Sequence, residues 1–300
     1  TAVRAVLALD SALSENLLDV EEAASGLEDL SDLFEGLSSV RGLKSLVGRA
    51  STASRQRLGM LQVVADYREH RHRRGLLSFG DQIALACRIA ERVPEVVEQV
   101  RARYPAVLLD EFQDTSVAQA RLLSALFADS GVTAVGDPNQ AIYGWRGAAA
   151  SNILGFPTHF PGATGEPAKE FTLTINRRSG SRILEVGNAL AEPLTRTRGG
   201  GVELRPGEGA PDGEVRVLCF DTLAEELDWL ATDVTARHAE GTAWRDIAVL
   251  TRRNDVLTSV WERLREHDVP VEIVGIGGLL RLPEIAPVVA TLKVLTDPLA

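Results

Sequence analysis

Only two cysteines, Cys87 and Cys219, occur in the 300 residues, and they lie far apart in apolar settings. A disulfide framework and a cysteine-built metal site are therefore not expected, and the pair reads as two buried free thiols of a cytoplasmic protein. No apolar run approaches the roughly 18 residues of a membrane-spanning helix, and no leader-like segment opens the chain, so neither insertion nor export is supported. Basic residues are in the minority: 32 Lys and Arg stand against 42 Asp and Glu, a net charge of −10. That balance does not by itself suggest a nucleic-acid partner, although such binding depends on a local basic track and not on the total. The remaining composition, 45% hydrophobic and 25% charged, is that of a soluble globular protein long enough for more than one core. The chain starts at Thr1 without a methionine and stops after TDPLA, which reads as a segment excised from a longer protein.

The most informative stretch runs from Tyr104 to Gly147: YPAVLLDEFQDTS, a helix-length spacer, then VTAVGDPNQAIYGWRGA. Ala106 to Leu109 is apolar without alternation, the pattern of a strand buried on both faces of a parallel sheet. It stops at Asp110 and Glu111, placing two carboxylates at the carboxyl end of a strand, where open α/β sheets bind their ligands. Val132 to Val135 repeats the arrangement, with Asp137 at its end. Val117, Leu122, Leu123, Leu126 and Phe127 form a helical face between the two, so the whole is a βαβ unit with its acids side by side. An acid pair of this kind suits a Mg-nucleotide site, one carboxylate holding hydrated Mg²⁺ and the other orienting water. The same residues also fit a plain strand end followed by an acidic helix start.

Elsewhere the pattern is organisational. Leucines and valines from Leu7 to Leu37 recur at helical spacing, interrupted at Gly26, Gly36 and Gly42, which predicts short amphipathic helices. A longer helix is expected from Gln56 to Arg74, with Arg68, His70, Arg71, His72, Arg73 and Arg74 at its end. The helix dipole accounts for that cluster as well as a DNA-backbone contact does. Ser78 to Asp81 starts another helix, and Pro94 punctuates the next pair. A short helix over Ala148–Leu154 leads into a Gly/Pro loop from Pro157 to Pro167, read as a hinge. Beyond it, strands are expected at 171–175, 215–220, 247–250 and 271–274, with helices at 181–191, 223–239, 256–267 and 283–296 and a loop over 195–213. Gly275, Gly277 and Gly278 read as a turn, since no acidic residue follows at the distance a dinucleotide fingerprint needs.

The string DEFQDTS followed by VGDPNQAIYGWRGA resembles motifs II and III of the UvrD/Rep-type superfamily 1 DNA helicases, and LTINRRSGSRIL (Leu173 to Leu184) is similar to their motif IV. The resemblance covers the chain from about Gln56 onward. It implies an α/β fold of two RecA-like parallel-sheet motor domains, both incomplete, with the remnant of a helical insertion in front. The implied boundaries are 1–75 for subdomain 1B, 76–165 for part of motor domain 1A, 166–280 for part of 2A and 281–300 for the start of 2B. No segment fits the phosphate loop G-x-x-x-x-G-K-[ST], and the family's motifs V and VI are missing, so the chain alone is expected to be inactive.

By resemblance, Asp110 would bind Mg²⁺, Glu111 would be the catalytic base, Gln140 would sense the γ-phosphate of ATP, and Arg178 would stabilise transferring charge as a finger in cis. Arg177 stands where the family usually has a tyrosine against the adenine; a guanidinium plane can also stack there. Tyr143 and Trp145 would stack on unpaired bases, and Arg146 would pair with a phosphate. The implied function is ATP-driven movement on single-stranded DNA in repair or recombination, with single strands and single/double-strand junctions as partners and a nuclease domain or subunit as a further one in the parent. The alternative is a non-hydrolysing DNA-binding or scaffold module of a helicase–nuclease complex.

Overall fold

Among the described residues, helices make up most of the first hundred positions and short parallel strand pairs follow them. The computed structural model describes residues 2–38, 40, 43–128, 130–162, 165–198, 202–274 and 285–296. It separates into two compact units, Thr1–Gly213 and Glu214–Ala300.

The first unit begins with α1 (Ala2–Glu15), α2 (Val20–Leu37) and α3 (Lys44–Arg73). Asp19 caps α2 reciprocally with Glu22, and Leu13, Ala23, Leu61 and Val64 bury their side chains where the three helices meet. The glycine breaks expected from the sequence do not occur at Gly26 and Gly36, which lie inside α2, while Gly42 is outside the described residues. The third helix starts at Lys44, well before Gln56. A mid-helix glycine costs about 1 kcal/mol relative to alanine, less than the burial of one large apolar side chain in the shared core.

α4 (Phe79–Arg92) starts at a second capping box, Ser78 with Asp81, and α5 (Pro94–Arg103) starts on its proline. α1, α3 and α4 are joined by a largely buried charge network. Asp10 accepts from Arg68 Nε at 2.6 Å and from Arg71 Nη2 at 3.0 Å, and Arg71 Nη1 reaches Asp81 at 2.6 Å. Arg68 also donates to Ser14 Oγ at 3.1 Å. These two arginines are thus taken out of the cationic cluster at the end of α3, since both of their guanidinium groups are engaged inside the protein.

β1 (Val107–Leu109), α6 (Val117–Phe127) and β2 (Val132–Ala134) form the βαβ unit, with β1 and β2 parallel and Val107 opposite Val132. α7 (Ala150–His159) follows. Phe112, Phe127, Phe156 and Phe160 make the core beneath the strands, the Phe156 and Phe160 rings stacked at 4.6 Å and Phe112 edge-on to both. The expectation of a strand buried on both faces is corrected. Val107 and Leu109 pack on this core, but Leu108 is 82% exposed, because among the described residues nothing covers the other face of a two-stranded sheet. α7 also runs through Pro157, whose position within the last turn lets Phe156 and Phe160 stay on the core.

β3 (Ile175–Asn176) pairs in parallel with β4 (Arg205–Pro206), and α8 (Ser181–Arg198) connects them, longer than expected and including Pro193. The second unit holds α9 (Leu223–Ala239), α10 (Leu257–Glu266) and α11 (Ala286–Thr296). Leu227, Ala231, Val234, Val260, Leu264 and Val269 form its core.

The strands expected at 215–220, 247–250 and 271–274 form no ladder among the described residues, and the one expected at 171–175 reduces to β3. Ile247, Val249 and Val271 still pack on the helices while Val217, Leu250 and Val274 are exposed, and among the described residues no neighbouring strand completes the hydrogen bonding. The glycines at 275, 277 and 278 are outside the described residues. The described chain is therefore a helix-rich mixed α/β protein with two small parallel sheets. No helix among the described residues is long and apolar enough to cross a membrane. Cys87 is buried, and burial together with the neighbouring Glu91 charge pushes its thiol up, whereas Cys219 is exposed and not buried as expected.

Candidate functional site

The strand ends of β1 and β2 carry the acids to one edge. Beyond the paired residues the two chains stay connected, with Val135 N–H donating to Leu109 O at 2.8 Å and Phe112 N–H to Val135 O at 3.0 Å. Between those bonds the chain turns sharply at Asp110 and Glu111. Glu111 has φ 51° and ψ 39°, a left-handed conformation that costs a residue with a Cβ about 1–2 kcal/mol. Asp110 and Glu111 are both exposed, and Asp110 Oδ1 accepts the Glu111 N–H at 2.9 Å. Residues 112–114 then form a single 3-10 turn, and Ser116 with Gln119 caps α6.

Gln113 was not singled out from the sequence, yet it is the most deeply placed polar side chain of this edge, 1% exposed. Its Nε2 donates to Glu111 Oε2 at 2.7 Å and its Oε1 accepts the Asp137 N–H at 3.1 Å. The neighbouring Gly136 leaves the room for it: a Cβ there would overlap Gln113 Oε1. The readable signal was the pair itself, a neutral polar residue two after the acid pair and a glycine before the next acid.

Asp137 in turn holds the start of the following loop. Its carboxylate accepts the Asn139 N–H at 2.9 Å and Gln140 Nε2 at 2.8 Å. The far end of the loop is fixed as well, because Ala149 N–H donates to Thr115 O at 3.2 Å and the buried Asn152 donates to the same carbonyl at 2.8 Å. Residues 138–147 are thus suspended between two attachment points on the segment that carries Asp110 and Glu111.

On this loop Trp145 is 79% exposed, with Tyr143 beside it at 6.4 Å between ring centroids and the Arg146 guanidinium 5.6 Å from the indole. Tyr143 and Arg146 also line a polar cleft of about 230 Å³ with Glu15, Asp114 and Gln119. Gly147 ends the loop at φ +80°, and a Cβ there would stand 2.7 Å from the Glu15 side chain, so conformation and space both call for glycine. The aromatic pair is therefore a surface feature resting on α1, not core packing.

The structure brings together Asp110, Glu111 and Gln140, joined through Gln113 and Asp137, with Tyr143, Trp145 and Arg146 on the same loop. Arg177 and Arg178 lie elsewhere in this unit, on the exposed turn between β3 and α8. The Arg178 and Ser179 amides there donate to Asn176 Oδ1, at 2.9 and 2.8 Å, and not to the acids. As a cation site the edge fits one class of ion. Among the described residues no three His, Cys, Asp or Glu side chains converge. One or two exposed carboxylates are, however, what Mg²⁺ commonly takes from a protein, with water and phosphate completing the shell.

Two family models match. The UvrD/REP helicase N-terminal domain matches residues 8–161, and the UvrD-like helicase C-terminal domain matches residues 171–298. DNA helicase II of Escherichia coli K12 is 30% identical over 237 residues, 79% of this chain and 32% of the relative. ATP-dependent DNA helicase Rep of Salmonella typhimurium is 30% identical over 234 residues, 77% of this chain and 34% of the relative. ATP-dependent DNA helicase PcrA of Staphylococcus epidermidis is 27% identical over 238 residues, 78% of this chain and 31% of the relative. The chain spans about a third of the length of these curated relatives.

Proposed function

The chain belongs to the UvrD/REP helicase family, and from that premise we propose that it is the middle segment of an ATP-dependent DNA helicase or translocase that couples hydrolysis to movement on single-stranded DNA in repair or recombination. The observation that carries this reading is the loop 138–147. It holds Gln140 at one end and the exposed Trp145 at the other, and it is attached twice to the turn bearing Asp110 and Glu111. A residue that responds to the nucleotide and a residue that grips a base then move as one piece, which is the mechanical requirement of a motor.

In this mechanism Glu111 positions and deprotonates the attacking water. Its left-handed backbone is the kind of strain that persists where geometry is tied to function. Asp110 would hold Mg²⁺, which when bound with ATP supplies neutralisation of phosphate charge. Gln140 Nε2 would donate to a γ-phosphate oxygen, exchanging its bond to Asp137 for one to the nucleotide. Arg178 approaches the transferring phosphoryl from the second motor domain, and Arg177 stacks on the adenine. Tyr143 and Trp145 stack on successive bases without reading sequence, and Arg146 pairs with a phosphate. Single strands and single/double-strand junctions are the proposed substrates. The proposed boundaries are 1–75 for the helical insertion, 76–165 and 166–280 for the two motor domains and 281–300 for the start of a further subdomain.

The test is single-turnover ATP hydrolysis beside nucleotide affinity, across a Mg²⁺ titration, in the full-length protein. Glu111→Gln keeps size and hydrogen bonding and is expected to slow hydrolysis by about 10²–10⁴-fold while nucleotide still binds. Asp110→Asn should instead shift the Mg²⁺ requirement. Hydrolysis at the parental rate by Glu111→Gln would remove Glu111 from its role.

A further inference from the structure

The deepest polar side chain of the strand edge has a hydrogen-bonding pattern that only one residue type satisfies. Gln113 faces a carboxylate, Glu111 Oε2, on one side and an N–H, that of Asp137, on the other. A donor must point one way and an acceptor the other, and with both neighbours fixed the carboxamide has a single productive orientation. Glutamate at this position would set two carboxylates against each other, and leucine would leave the Asp137 N–H and the Glu111 oxygen without this partner. At 1% exposure the side chain has no water to fall back on. Gly136 completes the arrangement, since any larger residue would displace the carboxamide.

We propose that Gln113 is a positioning residue that fixes the Glu111 carboxylate and the Asp137–Gln140 loop in one register, so that the water-activating group and the nucleotide-sensing group are set by the same buried amide. The proposal rests on the reading of Glu111 as the base. The chain of contacts is Glu111 to Gln113 at 2.7 Å, Gln113 to Asp137 N–H at 3.1 Å, and the Asp137 carboxylate to Gln140 Nε2 at 2.8 Å. Of the four residues in this chain only Gln113 is buried, and it is therefore the one that binding events at either end do not displace. When Gln140 leaves Asp137 for a phosphate, the Asp137 main chain stays pinned, and the carboxylate of Glu111 keeps its orientation.

Two measurements on the full-length protein test this. The first is amide hydrogen exchange over residues 132–140. Gln113→Glu should lose protection there by repulsion from Glu111. The exchanged pair Glu111→Gln with Gln113→Glu, in which donor and acceptor are swapped across the same contact, should regain it. Unchanged protection in the single variant, or no recovery in the pair, overturns the bridge.

The second measurement is single-turnover ATP hydrolysis. Gln113→Leu should slow it by about 10- to 100-fold, the effect of misplacing a reacting group by an ångström or so, with nucleotide affinity unchanged. In the Glu111→Gln background the same substitution should cost clearly less, only what the loop contact contributes. An equal loss in both backgrounds would mean that Gln113 only supports the fold, and no loss in either would end the proposal. Where Gln113→Leu does not fold, Gln113→Asn, too short to span both partners, takes its place with the same expectation. If Glu111→Gln by itself hydrolyses at the parental rate, the assignment of the base fails and the positioning role falls with it, while the exchange experiment still reports whether the bridge exists.

Discussion

Replacing Asp10 by alanine should loosen the first three-helix layer by about 3 kcal/mol. The Asp10 side chain is 7% exposed and that of Arg71 10%, so removing the carboxylate leaves Arg71 with Asp81 alone and takes from Arg68 its carboxylate partner, in a mostly dry site. Breaking a buried pair in this way typically costs about 3–5 kcal/mol. The lower end applies here, because Arg68 is a quarter exposed and keeps Ser14 Oγ at 3.1 Å as a partner. Hydrogen exchange of α1 and α3 is the suitable assay, since it reads local opening without requiring the two units to unfold together. A loss of about 3 kcal/mol corresponds to exchange roughly a hundredfold faster. The paired replacement Asp10→Leu with Arg71→Met restores the charge balance and should lose less than Asp10→Ala alone. If Asp10→Ala costs under about 1 kcal/mol, the network behaves like a solvated surface pair and the reasoning from burial is wrong.

Trp145→Ala should leave stability within about 0.5 kcal/mol, as for an exposed side chain, while single-strand affinity in the full-length protein falls by about 1–3 kcal/mol in a fluorescence-anisotropy titration. Gly147→Ala should cost about 1–2 kcal/mol from the left-handed backbone alone. Adding Glu15→Ala should recover the steric part but not the backbone part, as read from the exchange protection of residues 143–149. Burial pushes the Asp81 carboxyl up, but hydrogen bonds with Ser78 and the charge of Arg71 outweigh it, so its folded pKa lies below the ordinary carboxylate value. The stability it contributes is therefore present above that value and lost as pH falls through the lowered one; acid titration of Asp81→Asn should lack this component.

The βαβ unit was readable in the sequence because every level agreed there: apolar strands, a capped amphipathic helix between them, and acids at both strand ends. The three-helix layer was readable only as helices. Glycine marked breaks at Gly26 and Gly36 that the packing of Leu13, Leu61 and Val64 overrode, since propensity acts residue by residue and burial acts on the whole helix. The strands expected at 215–220, 247–250 and 271–274 form no ladder among the described residues, because a ladder also requires a neighbour, which a single segment's composition does not contain. In the site, Asp110, Glu111 and Gln140 were visible from motif and position. Gln113 was not, because a buried glutamine looks like any polar turn residue until both of its partners are in view. The two arginines of the α3 cluster failed for the opposite reason: their pairing with Asp10 spans 58 and 61 residues of sequence.

Surface loops usually tolerate insertions and deletions, because their ends can drift to accommodate a change in contour length. The segment from Pro138 to Gly147 has no such freedom, pinned at Asp137 through a buried amide and at Ala149 and Asn152 through the Thr115 carbonyl. Adding or removing a single residue would rotate Trp145 relative to Gln140 or tear one of the attachments. The number of residues between them is thus a design dimension in its own right. A graft of the aromatic tip into another scaffold would have to carry the turn of Asp110 to Ser116 with it.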